Sequence, residues 1–246
     1  MEADGTASGG IGAELDRIEE AVDGGERDLR RLGFWRLVGL IKRDDELIER
    51  YADQVGRIDA KAFLTWAPIR VPLWLGNVLL AVGFAIGVAA LVVAAAKGKA
   101  DTASFDPTIT GIALVVATGA WDVALHSPAH LVVGLAFGIR PTGYFLKGAS
   151  APPGLKLDHA SYLRAPAERR AWMHASGAIA SKLVPFLVLA LVAIIGIDAP
   201  GWAIAVLWII GIGQLVTDLL FSTKRSDWKK VRRELAVARS RRAAAS

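Results

Sequence analysis

From Val71 to Ala96 the chain runs for 26 residues without a charged side chain. As a helix this run is roughly 39 Å long at 1.5 Å per residue, against a bilayer hydrocarbon core of about 30 Å. Backbone polar groups in lipid must be satisfied internally, so such a run can only be a spanning helix. Three further apolar stretches follow, at about 108–138, 176–197 and 201–221, the last two separated by the turn Asp198-Ala-Pro-Gly201. A mean hydropathy of +0.40 fits this concentration of apolar residues. The spacing predicts an all-α integral membrane protein with four transmembrane helices, an N-terminal amphipathic helical region and a basic C-terminal helix. The absence of cysteine excludes a disulfide scaffold, thiolate catalysis and sulfur-ligated zinc. There is no P-loop, dinucleotide or Gly-x-Ser-x-Gly motif and no internal repeat.

Orientation follows from lysine and arginine. Residues 1–70 hold 11, the connection after the first span only Lys97 and Lys99, residues 140–175 six, and the tail after Phe221 nine. Both termini are therefore expected in the cytoplasm, in a multi-pass protein of the plasma (inner) membrane, with the first span acting as its own insertion signal. Trp66, Trp74, Trp202 and Trp228 fall near span ends as interface anchors.

The first ten residues read as disordered, and residues 11–66 as the amphipathic region: a short helix with Leu15, Ile18 and Val22, then a helix over Phe34–Phe63. This second helix lies on the membrane, against the protein's own cytoplasmic face, or in a short coiled coil. Residues 67–221 form the membrane domain and 222–246 the tail. With nine basic and two acidic residues, the tail reads as a helix capped by Ser226 and drawn to anionic lipid. No aromatic stacking platform accompanies the charge, so nucleic acid is not expected.

Ionisable groups within a span call for a partner or a purpose. Asp122, His126 and His130 follow one another at four-residue steps, which places them on one face of a continuous helix, and two histidines one turn apart suit a metal. Ser127-Pro128 offers a competing local structure, since serine and proline also open helices; a helix starting there would separate the histidines. Lys182, one turn inside the third span, is expected to snorkel to the surface rather than pair with Asp218. His174 reads as an interfacial residue and His159 as exposed. Gly83 with Gly87, and Gly134 with Gly138, have the spacing of close helix packing.

The run His126-Ser-Pro-Ala-His130, the Gly138-Ile-Arg140 turn and Tyr144-Phe-Leu-Lys-Gly148 resemble the first signature of the site-2 protease family of intramembrane zinc metalloproteases. Ala165-Pro166 and Ala175-Ser-Gly-Ala178 are similar to the entry into that family's next core span. The resemblance covers about residues 108–222 and implies a zinc held by His126, His130 and Asp218, the aspartate at the end of the last core span. It also implies that residues 140–175 form a membrane-associated segment beside the site, whereas from composition alone they read as a cytoplasmic loop with interfacial aromatics. Two departures stand out. Ser127 occupies the place of the glutamate that acts as general base, and the sequence around Asp218 lacks the family's Asn-Pro and its following glycine. The resemblance thus implies a degenerate, non-proteolytic relative that binds or regulates a membrane-protein partner. The alternatives are an atypical metallopeptidase that uses Asp122 as substitute base on a membrane-protein substrate, and a structural membrane protein or channel without metal.

Overall fold

A computed structural model of the chain describes residues 4–146, 154–220 and 226–245. Gly148 of the resemblance, Phe221 and residues 222–225 of the tail lie outside the described residues. The protein is nearly all-α and has four helices long and apolar enough to cross a membrane: α4 (Leu73–Lys97), α5 (Pro107–Ala136), α7 (Ala167–Ile195) and α8 (Gly201–Leu220). The chain forms two compact units, one of residues 1–73, 134–171 and 232–246, the other of residues 74–133 and 172–231.

The first unit contains α1 (Asp4–Asp23), α2 (Phe34–Ile41), α3 (Asp45–Trp66), α6 (His159–Arg164) and most of α9 (Asp227–Ala245). It also holds an antiparallel sheet in the order β1 (Ile69–Pro72), β2 (Pro141–Leu146), β3 (Gly154–Leu157). Helix α1 begins at Asp4, so residues expected to be disordered are helical, and its apolar stripe reaches back to Ile11. The single helix expected over Phe34–Phe63 is two. Asp44 accepts hydrogen bonds from the backbone N–H of Glu46 and Leu47 at 2.8 and 3.1 Å, an N-cap that starts α3 afresh. The apolar faces of α2 and α3 are buried within this unit, with Phe34, Ile41, Val55 and Ile58 joining Leu15 and Ile18 of α1 and Leu163 of α6 in one core. A Cβ on Gly56 would sit 3.1 Å from that of Ala160, which accounts for glycine where α3 meets α6.

Charged groups complete this unit. Glu234 of α9 is buried against Lys42 (2.5 Å), Arg170 (2.6 Å) and the Tyr162 hydroxyl, which donates to it at 2.9 Å. Burial alone would raise the Glu234 carboxyl, but the two cations outweigh it and hold it down to about 2. His159, expected to be exposed, is half-buried and lies 3.2 Å from Asp59, which also pairs with Lys156. On the basic tail, Arg241 pairs with Asp45 and Arg242 with Glu168.

The second unit carries the spans. Its core gathers Leu114 and Trp121 of α5, Val184 and Val188 of α7 and Leu207 of α8. Helices α4 and α5 approach closely because Gly87 leaves room for Trp121; a Cβ there would lie 2.2 Å from the indole, whose N–H donates to the Phe84 carbonyl at 3.0 Å. Gly83 meets Ala124, so the glycine pair serves packing within the chain. Trp202 lies over Gly111 and is 47% exposed. Around this core the helices present large apolar side chains outward, Ile194 at 80% and Ile209 at 69% exposure, a surface suited to lipid rather than water. The first span starts at Leu73 rather than Val71 because Val71 and Pro72 pair with Tyr144 and Gly143 in the sheet.

Candidate metal centre

Helix α5 is continuous from Pro107 to Ala136 with Pro128 inside it, so Ser127-Pro128 does not begin a new helix. His126 and His130 therefore stand one turn apart on one face, their ring centroids 4.8 Å apart. Proline is tolerated here as it is in membrane helices generally.

Each imidazole has one nitrogen committed. Nδ1 of His130 is 2.6 Å from the carbonyl oxygen of Met173 in α7. A carbonyl only accepts, so Nδ1 carries the proton. Nδ1 of His126 is 2.8 Å from Ser181 Oγ, and the Ser181 hydroxyl itself donates to the Gly177 carbonyl at 3.2 Å, leaving its oxygen to accept from His126. Both rings thus have Nε2 as the remaining nitrogen, and both Nε2 atoms converge on Asp227 Oδ2, at 3.4 Å from His126 and 3.3 Å from His130. The three ligand atoms lie within 4.8 Å of one another. In the neutral tautomers three acceptors face one another without a donor, so a cation, proton or metal, must lie among them.

The donor set fits zinc. Two nitrogens and a carboxylate oxygen at zinc–ligand distances of about 2.0–2.1 Å in a tetrahedron are about 3.3 Å apart, the separation that Asp227 Oδ2 keeps from both imidazoles. The outer contacts have the form seen around metal-bound histidines, a backbone carbonyl and a hydroxyl that fix tautomer and ring orientation. Gly177 leaves the space beside the site, since a Cβ there would be 2.2 Å from His130 Nε2.

Asp227 opens α9, where Ser226 precedes it and accepts from the Lys229 N–H. Its second oxygen is 2.7 Å from the Lys230 ammonium. Burial works against a charge on Asp227, but His130 and Lys230 outweigh it and hold the carboxyl well below the usual carboxylate range.

The resemblance placed Asp218 as the third ligand, and the structure brings Asp227 to the histidines instead. Asp218 pairs with Lys182 at 2.6 Å, and Lys182, only 15% exposed, does not snorkel away from it. A full ion pair inside the span costs less than either charge alone, which explains why these two find each other. Asp122, the candidate base, stands outside the trio. It contacts Gln214 and Ser181, and its Oδ1 is shielded from solvent with no hydrogen-bond partner among the described residues. Ser127, where a general base would stand, is buried. His174, read as interfacial, lies beside the centre, its ring centroid 6.4 Å from that of His130.

Asp227 was hidden in the sequence by its surroundings. It sits in a segment whose net positive charge dominates any reading of it, and its one local signal is the Ser-Asp pair that opens a helix. Comparison of the chain with family models, with curated proteins and with solved structures returns no match.

Proposed function

We propose that this chain is a multi-pass membrane protein, its termini cytoplasmic, that binds zinc through His126, His130 and Asp227 as a non-proteolytic relative of the site-2 proteases. The observation that carries this reading is the convergence of two Nε2 atoms and a carboxylate oxygen, with both Nδ1 atoms already spent on α7. Zinc, when bound, supplies a fixed divalent charge and Lewis acidity at the end of α5. The residues around it hold the metal but do not prepare hydrolysis: a serine hydroxyl does not take up a proton at neutral pH, and Ser127 follows the first histidine where the peptidase motif has its glutamate. Binding or regulation of a membrane-protein partner is the role left to such a centre. The orientation rests on the distribution of basic residues, and attraction of the tail to anionic lipid rests on its excess of seven positive charges.

Elemental analysis of the detergent-purified protein tests this directly. About one zinc per chain is expected, with thermal stability that falls on chelation. A folded, metal-free chain indifferent to chelator would overturn it and favour a structural membrane protein.

A further inference from the structure

Three protein ligands leave a tetrahedral zinc with an open position, the arrangement of catalytic sites, whereas structural sites are closed by four. The identity of the fourth ligand therefore decides what this centre can do.

His174 stands on the right face to supply it. Along α7, His174, Gly177 and Ser181 are spaced i, i+3 and i+7 and so share one face of the helix. Gly177 meets the His130 ring and Ser181 holds His126. The residue before His174 is Met173, whose carbonyl fixes His130. His174 thus occupies the next turn of the face that α7 already turns toward the site, and its side chain is half-buried.

The distances agree. Two imidazoles bound to one zinc through Nε2 at about 2.0–2.1 Å have ring centroids about 5 Å apart. His126 and His130 are at 4.8 Å. His174 and His130 are at 6.4 Å, about 1.4 Å beyond that separation, and the two side-chain torsions of histidine are the freedom by which the ring would approach.

We propose that His174 swings in as the fourth ligand when metal binds, giving a closed centre of three histidines and one aspartate. This rests on the reading of His126, His130 and Asp227 as a metal site. A closed centre has no position for a substrate carbonyl, so the loss of the general base at Ser127 and the gain of a ligand at His174 point the same way, to a metal held rather than a metal used in catalysis.

Cobalt(II) is the probe, because its visible absorption reports coordination. The detergent-purified protein is loaded with cobalt and titrated with azide, wild type beside His174→Ala. In the wild type the spectrum is expected to be four-coordinate and unmoved by azide. In His174→Ala, cobalt still binds near one per chain but at least about tenfold more weakly, azide shifts the spectrum, and added imidazole restores the wild-type bands. Should His174→Ala not yield folded protein, His174→Gln carries the same comparison. Equal affinities and an equal azide response in wild type and variant would overturn the fourth ligand while leaving the three-residue site intact. Failure of the wild type to bind cobalt would overturn both, and loss of cobalt in His126→Ala and Asp227→Ala separates the two cases.

Discussion

Nδ1 of His130 donates to the backbone carbonyl of Met173 across 2.6 Å, and this one bond turns the other face of the ring, Nε2, toward Asp227. Because the acceptor is a main-chain oxygen of α7, replacing the Met173 side chain does not remove it. The ring is oriented by helix packing, and packing is where the site is most vulnerable.

Gly177→Ala puts that to the test. A Cβ at this position would lie 2.2 Å from His130 Nε2, so either the ring rotates off its carbonyl or α7 moves. Zinc affinity is expected to fall at least about tenfold, the size of effect seen when the outer contacts of a metal ligand are disturbed. A competition titration against a chromophoric chelator measures it.

In the first unit, Glu234 joins three partners at one carboxylate. It is 4% exposed and answers Lys42, Arg170 and Tyr162 together. Removing one member of a buried ion-pair cluster costs about 3–5 kcal/mol, because the others stay buried and unpaired. Glu234→Ala is expected to lower thermal stability in detergent by that order, whereas Arg36→Ala, which breaks an exposed pair with Glu14, is expected to change it by less than about 1 kcal/mol.

The same residue sets an acid limit. Its folded-state value of about 2 lies below the 4.5 usual for a glutamate carboxyl. The unfolded chain therefore binds the proton more readily. The stabilisation, about 3 kcal/mol, is present in full above about pH 4.5 and is lost as pH falls toward 2. Unfolding followed between pH 6 and pH 2 should show this loss in the wild type and a smaller one in Glu234→Gln.

Within the membrane, Lys182 and Asp218 form a 2.6 Å pair. Either charge alone is costly in a span, so Lys182→Met and Asp218→Leu are each expected to destabilise, and the double variant to recover much of the loss. A double-mutant cycle on melting temperatures in detergent reads the coupling.

The four spans and the shared face of Asp122, His126 and His130 were legible because hydropathy and helical periodicity are local properties of a sequence. The sheet was not. Its strands are four to six residues long, and Val71 and Pro72 continue without a break into an apolar run, so nothing in the pattern divides strand from span. The buried Glu234 cluster escaped because its partners stand 64, 72 and 192 residues away. Asp218 looked like the metal ligand because it closes the last span. Lys182, one helix earlier, claims it, and that pairing depends on how α7 meets α8. Asp227 lies nine positions further on, beyond the span, where only the three-dimensional return of α9 to α5 shows that it meets the histidines.

The choice between those two aspartates decides which carboxylate completes the metal centre with His126 and His130. Zinc content and affinity should be measured for wild type, Asp227→Ala and Asp218→Ala, each purified folded in the same detergent. The predicted result is about one zinc per chain in the wild type, loss of it in Asp227→Ala, and affinity close to wild type in Asp218→Ala despite lower stability. Zinc kept in Asp227→Ala and lost in Asp218→Ala would contradict the site described by the structure.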